Sequence, residues 1–560
     1  LNSVNPALVT QRAAQRLPRP ILILFCAAYV LPGLFGRDPW KSADITAFGY
    51  MVDIARGATD WLAPKIGGLP SDAALLPYWL GAVFIKLFGP WLGAPLAARV
   101  PFALLLLLTF AFTWYTTYHL ARTEAAQPLA FAFGGEAAPI DYARAIADGS
   151  VLALIATLGL LQLGHETTPE LGQLASVVLY LYGLAASPFR GPQPKLAVLI
   201  ALPALAASGA PAIAVGLGIA GTIICWQSSY DRVRRYTVWV VVAAVLAVVV
   251  ATWLHAWGWR LVGFEPGPRA IWILLRQLAW FCWPAWVLAV WTLWRWRGHL
   301  THRHLSIPWS CVAICMIAWL GMDGFDRALM LALPPLAVLA AFALPTFQRS
   351  TAAAIDWFSV FFFSLSLIGI WFVYVSMQTG VPPKPAANIE RLAPGYPHDF
   401  SAIRLAFAVL GTIAWMWLVR WRTGRNRHPL WKSLVIPAGG VAVCWLLVMT
   451  LLLPPLNHAR SYRSLVERIG KLVPPDACVA APGMPKAQVA ALEYLGGYRV
   501  DAVTPREQAG CPYLLLTDNG KAIVDPGSDW NLLSREKRNA ADDEITAVYS
   551  RRGTRPAPPN

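Results

Sequence analysis

RDPWKSADITAFGYMVDIARGATDWLAPKIGGLPSDAALLPYW, residues 37–79, lies between two apolar blocks and carries five acidic and four basic side chains. In a chain that is 57% hydrophobic, charge this dense has left a bilayer core. From Asp44 onward, Ile45, Phe48, Val52 and Ala55 recur at helical spacing. The apolar stripe they form beside Asp53 and Arg56 predicts a helix lying on a membrane surface. Asp44 heads that helix, where the macrodipole favours an anion. Trp40 and Trp61 flank it, and indole rings favour the interface. The stretch reads as an external loop that holds a carboxylate at the bilayer edge.

The rest of the composition agrees with a membrane setting. Mean hydropathy is +0.50, tryptophans number 27, and only 14% of residues are charged. Soluble domains carry nearer a quarter charged, so the class is polytopic membrane protein. The net charge of +16 sits in short runs between apolar spans, a positive-inside pattern rather than a nucleic-acid surface. The first apolar run reads as an anchor, without a convincing cleavage site. Six of the eight cysteines lie in apolar segments, where they act as small buried hydrophobes. No His or carboxylate accompanies Cys311 and Cys315, which argues against a metal there.

Taken in order, Arg12, Arg16 and Arg19 keep the N-terminus cytoplasmic, and a first span covers about residues 21–36. Apolar blocks follow at about 74–92 and 97–119. The acid-rich stretch 120–148 is then expected outside, and a span at 149–164 leads inward to HETTPE. Residues 172–226 allow two readings with one parity: a span plus one long helix, or a flat helix plus two short spans divided at SGAP. Either keeps DRVRR (231–235) inside. Later spans fall near 237–256, 270–294, 307–322, 328–346, 354–378, 403–419 and 433–453. The runs RWRGHLTHRH and RWRTGRNRH land inside. About thirteen helices cross, with the N-terminus in and the C-terminus out.

Residues 1–456 therefore form an all-α transmembrane domain, and 457–560 a small external α/β domain. The second shows helix (about 459–472), strand (478–481), helix (486–495) and strand (512–517). Cys478 and Cys511 each sit beside an expected strand. Adjacent strands bring Cα atoms to about the separation a disulfide needs, and an oxidising compartment favours the bond.

Acids collect on one expected face: Asp44, Asp53, Asp60 and Asp72, then Asp148, Asp323 and Asp326. Arg37, Lys41, Lys65, Arg144 and Arg327 stand among them. Both signs at an interface suit an anionic lipid head group together with a polar second substrate. In sugar transfer from a polyprenyl phosphate, phosphate is the leaving group and needs little protonation. One carboxylate base then suffices for the acceptor hydroxyl, and cations neutralise the phosphate.

The order of these segments resembles the GT-C class of integral-membrane glycosyltransferases, in the branch of the aminoarabinose (lipid A) transferases and protein O-mannosyltransferases. RDPWKSAD (37–44) with DWLAPKIGGLP (60–70) resembles the family's first loop, which ends in its catalytic Asp. SDAALLPYWLGAVFIKLFG (71–89) resembles the next juxtamembrane segment, and AARVP (97–101) a following Arg-Leu-Pro signature. ARAIAD (143–148) is similar to the segment with the second Asp, and RALMLALPPLAVLAA (327–341) to an Arg-Tyr-Leu-Leu-Pro stretch. The pattern departs at Ile45, where many relatives carry Glu, and at Ala73 and Gly209, where they carry Lys.

The resemblance implies an inverting transferase in the bacterial inner membrane, with its active site and C-terminal domain periplasmic. Its donor would be a polyprenyl-phosphate sugar, undecaprenyl phosphate being the carrier; its acceptor a lipid, glycan or protein. Asp44 would be the general base, helped by Asp148, with Asp72 positioning the acceptor. Arg37, Lys41, Lys65, Arg144 and Arg327 would hold substrate and phosphate, with Arg99 structural. No cofactor is assigned; a divalent metal, if one is used, would take Asp72 or Asp148. Two other readings stay open: a transporter or flippase of lipid-linked sugars, with acids near the midplane of spans, and a non-catalytic envelope scaffold.

Overall fold

The computed structural model describes residues 6–72, 74–258, 267–322, 326–396, 399–423, 429–518, 526–538 and 544–553. A helix beginning behind Pro18, α1 (Arg19–Val30), carries the chain from an N-terminal face to the opposite face, where Asp44 lies. There α2 (Ala43–Arg56), a two-strand hairpin of β1 (Lys65–Ile66) and β2 (Leu69–Pro70), and α3 (Leu75–Leu92) follow. The helix α4 (Ala94–Ala121) returns to the N-terminal face. Its start lies on the Asp44 face, since Arg99 shares a small cavity with Gly33 and His165. Near its end, Trp114 Nε1 donates to Asp148, whose other oxygen accepts the N–H of Leu17.

From there the chain shuttles between the faces. The pair α5 (Pro139–Ala156) and α6 (Leu158–Leu163) rises to the Asp44 face, α7 (Pro169–Ala186) descends, α8 (Gln193–Ala207) rises and α9 (Pro211–Trp226) descends. The next helix, α10 (Asp231–Trp253), rises again. Then α11 (Pro268–Phe281) and α12 (Ala285–Arg295) meet at a 92° bend, where Pro284 lacks the N–H needed to continue a helix. The rest is α13 (Arg303–Gly321), α14 (Asp326–Met330), α15 (Leu333–Ala341), α16 (Arg349–Thr379), the short outer α17 (Pro383–Leu392), α18 (Ala402–Thr423) and α19 (Lys432–Leu451). Eight described helices are long and apolar enough to cross a membrane, nine with the bent pair as one, so the chain is a multi-pass membrane protein. The count of thirteen stays an expectation. Outward residues of α10, α16 and α18, such as Val238, Phe361, Leu365 and Phe407, are exposed and apolar, as a lipid-facing surface requires.

Two features of the path correct the reading from sequence, and they offset each other. The apolar block at 74–92 does not cross: α3 begins beside α2, with Tyr78 against Tyr50, and hands over to α4 on the same face. The stretch 120–148 therefore lies on the N-terminal face, bridged from Glu136 to Thr10 and from Asp141 to Gln11. HETTPE in turn reaches the Asp44 face. Residues 172–226 belong to three helices rather than two crossings, which restores the parity. Acid excess orients loops only weakly. The basic runs fall on one face together: Arg303 donates to Leu184 O, and Trp431, just past the second run, donates to Gln15 O, both on the N-terminal face.

On the Asp44 face, α20 (Leu453–Arg460) and α21 (Arg463–Gly470) lead into a sheet of β3 (Cys478–Ala480), β4 (Arg499–Asp501), β5 (Tyr513–Asp518), β6 (Trp530–Lys537) and β7 (Ile545–Arg551), with α22 (Lys486–Gly496) after β3. Strand order is β4-β3-β5-β7-β6, parallel across β4, β3 and β5 and antiparallel beyond. The sequence reading missed β4, β6 and β7. The first is three residues long, and β6 is an edge strand ending in Arg535, Glu536 and Lys537, which hides its period-two pattern. A disulfide joins Cys478 to Cys511 across β3 and the entry to β5, with Cα atoms 5.1 Å apart.

This outer domain covers α2, so the helix does not lie with one side on lipid as its stripe suggested. Its other side packs on α3, and Ile45, Phe48, Tyr50, Met51, Val52 and Ile54 are all buried. Phe48 meets Tyr494 edge-on at 4.7 Å, and Gly49 lies against Ala490. The hairpin Gly67 has φ +54°, and a Cβ there would come within 2.5 Å of Val489. Only glycine satisfies both the turn and that approach.

Candidate active site

The first turn of α2 places Asp44 in the protein interior, 1% exposed. Its Oδ1 accepts the Thr167 N–H and the Thr167 hydroxyl, each at 2.8 Å. Its Oδ2 accepts the Trp40 N–H at 3.1 Å and Arg37 Nη2 at 3.2 Å. Burial works to raise this carboxyl, but the charges of Arg37 and Arg99 and the two Thr167 donors outweigh it and hold the group below the usual carboxylate range. Asp44 is therefore ionised at neutral pH.

Around it stand cations with donors to spare. Arg37 also donates to His165 O at 2.5 Å and lies 4.8 Å over the Trp40 ring. Its Nε and Nη1 are buried without a hydrogen-bond partner, as is Nε of Arg99. Arg327 pairs with Glu166 at 2.5 Å and donates to Thr168 Oγ1 at 3.2 Å. Glu166 also accepts Gln162 Nε2, and Gln162 accepts Arg460. Burial pushes the Glu166 carboxyl up, the Arg327 guanidinium opposes this, and the Asp44 charge adds to the rise. Two neighbouring carboxyls are thus driven apart, one held charged and the other pushed toward its neutral form.

The residues singled out from sequence divide sharply. Asp44, Arg37 and Arg327 come together. Asp148 and Arg144 do not. Asp148 is tied to Leu17 and Trp114 at the other end of α1, about 18 Å of helix away at 1.5 Å per residue. Arg144 faces Asp141, 3.8 Å away on that same N-terminal face. Lys41 and Asp72 lie on the correct face but bind the outer domain, through Glu544 at 2.9 Å and Lys486 at 3.3 Å. Lys65 is exposed on β1. Asp323 lies outside the described residues. The two acids expected to take a metal are far apart, and no group of three His, Cys, Asp or Glu among the described residues is arranged to hold one.

The site also contains residues that sequence reasoning missed. HETTPE supplies His165, Glu166 and Thr167, and Arg99 was read as structural. A Glu, two Thr and a His in one short turn between apolar helices were a visible signal. The added crossing at 74–92 sent that turn to the wrong face.

This helical scaffold carries the acid of α2 beneath an outer α/β domain. It superposes on crystal structures of ArnT from Cupriavidus metallidurans. The form bound to undecaprenyl phosphate matches with TM-score 0.64 and 12% identity over 95% of this chain and 98% of that one. The apo form matches with TM-score 0.63 and 13% identity over 94% and 98%. No family model matches the sequence, and neither does any curated protein.

Proposed function

We propose that this chain is a glycosyltransferase that moves a sugar from a polyprenyl-phosphate donor to an acceptor at the periplasmic face of a bacterial inner membrane. The observation that carries the reading is a buried, ionised Asp44 beside Arg37 and Arg99, whose unpartnered guanidinium nitrogens await an anion. An undecaprenyl phosphate, the ligand bound in one of the ArnT structures, offers such an anion. Buried guanidinium donors are costly to leave unpaired, so phosphate entry would satisfy them.

Entry also prepares the base. Once Arg37 turns to phosphate, Asp44 loses its nearest positive charge and its proton affinity rises. The acceptor hydroxyl oxygen then attacks the sugar C1 from the side opposite the phosphate. Its proton passes to Asp44, the C1–O bond to phosphate breaks, and polyprenyl phosphate leaves with the electron pair. Arg37 and Arg99 stabilise the developing charge, and the configuration at C1 inverts. Glu166 and Arg327 position Thr167 and Thr168. The gathering of Asp44 and Glu166 at one end of the helices, rather than at their midplane, favours transfer over transport.

The test is a set of undecaprenyl-phosphate sugars, each supplied to the purified protein in nanodiscs with membrane extract as acceptor. Release of undecaprenyl phosphate from one of them, lost in Arg37→Ala, is expected. Absence of saturable undecaprenyl phosphate binding in the wild type would refute the reading.

A further inference from the structure

The imidazole of His165 sits between two acceptors. Its Nδ1 lies 2.7 Å from Leu161 O, one turn back in α6, and its Nε2 lies 2.8 Å from Tyr29 O, near the end of α1. A neutral imidazole carries one N–H, so one ring nitrogen must turn its lone pair toward a carbonyl oxygen. Only the imidazolium, with two N–H groups, satisfies both carbonyls. The backbone around the ring is thus arranged for the charged form.

The rest of its surroundings oppose that form. The ring is buried, 4.8 Å from the Trp445 ring of α19 and 5.4 Å from that of Tyr29, whose hydroxyl is buried without a partner. Arg37 Nη2 donates to the backbone oxygen of His165, and Arg99 of α4 lines the same small cavity. The neighbouring acids are already engaged, Asp44 by Arg37 and Thr167, and Glu166 by Arg327. Burial first, and the Arg37 charge second, lower the ring from 6.5 to about 4 against the pull of the two carbonyls. A phosphate that neutralises Arg37 removes the second obstacle and leaves the two acceptors in place.

We infer that His165 takes up a proton from solvent when the donor phosphate binds, and that the imidazolium then fastens the turn after α6 to the end of α1. His165 is a positioning residue in this scheme: its ring holds backbone, and the turn it holds brings Thr167 to Asp44. The proton returns to solvent when polyprenyl phosphate leaves, so no bond of the substrate changes. The inference rests on the transferase reading and adds a proton to its binding step. By reciprocity, the factor by which phosphate raises the proton affinity of the ring is the factor by which protons raise phosphate affinity.

Titration calorimetry of undecaprenyl phosphate into the nanodisc protein at pH 5.5, in two buffers of different ionisation heat, counts the protons taken up. The wild type should take up about half a proton more per ligand than His165→Gln, whose amide keeps two N–H donors but does not titrate. Titration of the ligand itself is common to both proteins and cancels in the difference. The affinity ratio of wild type to His165→Gln should accordingly rise about threefold from pH 7.5 to pH 5.5; a merely structural histidine gives a ratio that does not move with pH. In wild-type protein with 13C-labelled histidine, a readout that needs no variant, one Cε1 resonance should shift toward the imidazolium position when undecaprenyl phosphate is added at pH 5.5. Equal proton counts, a flat ratio or the absence of such a shift would overturn the inference. Wild-type protein that fails to bind undecaprenyl phosphate would instead overturn the parent reading.

Discussion

Asp44→Asn strikes the centre where its hydrogen bonds are densest. Each carboxylate oxygen accepts two donors, Oδ1 from Thr167 and Oδ2 from Trp40 and Arg37. The amide has one oxygen and one NH₂ group, so it faces either the obligate donors of Trp40 and Arg37 or the Thr167 N–H with a donor of its own. Arg37, whose side chain is fully buried, also loses its counter-charge. Removing one partner of a buried pair costs about 3–5 kcal/mol. The expected result is therefore a double loss: stability by that amount, and transfer by roughly 10²–10⁴ if Asp44 is the base. Thermal unfolding in detergent of the wild type, Asp44→Asn, Arg37→Gln and the double variant forms a cycle. The double variant should regain at least half of the stability lost by Asp44→Asn yet remain inactive, which separates folding from chemistry. Strictly additive losses, or an Asp44→Asn protein that unfolds at the wild-type temperature, would refute the reasoning.

Arg327→Ala leaves Glu166, 1% exposed, without its cation, so donor affinity and stability should fall together; Glu166→Gln in the same chain should recover stability but not affinity, as differential scanning fluorimetry and a binding titration will show. Replacing Cys478 and Cys511 with Ser should lower outer-domain stability by ~3–4 kcal/mol on the chain-entropy model, and both thiols should resist alkylation in unreduced wild-type protein by mass spectrometry. Burial, with the nearby Asp53 charge, raises Glu493 from 4.5 to about 8. The folded state thus holds its proton more tightly than the unfolded one, and outer-domain stability should decline as pH rises across that window. Glu493→Gln should flatten the decline, read by limited proteolysis across pH. Gly67→Ala should loosen the same seam by ~1–3 kcal/mol, because its Cβ overlaps Val489; unchanged proteolysis would refute that.

Much of this was legible in the chain. Asp44 and Arg37 stand in one charged stretch, and Arg327 sits at the mouth of an apolar span, so their polar surroundings announced an interface. The failures share a physical origin. Length and hydropathy measure whether a helix can cross a bilayer, and α3 meets that measure while being bound at both ends to the Asp44 face. Its miscount put Asp148 on the wrong side of the membrane from its true partners, Leu17 and Trp114, and removed Thr167 from consideration. Lys41 and Asp72 were misassigned for another reason. Charges that bind an outer domain through Glu544 and Lys486 look, in sequence, like charges that await a substrate. Partners some 400 to 500 residues away leave no local trace.

That same separation sets a timetable for biogenesis. About 430 residues lie between the end of α2 and the start of α22, the helix that covers it. At ~5–20 residues per second, α2 waits roughly 20–90 seconds on the ribosome's schedule before its cover exists. During that interval its row of Ile45, Phe48 and Val52 has only the lipid surface to rest on. The amphipathic stripe, which packs beneath the outer domain in the finished protein, also suits the nascent helix to the bilayer surface until the last hundred residues are made.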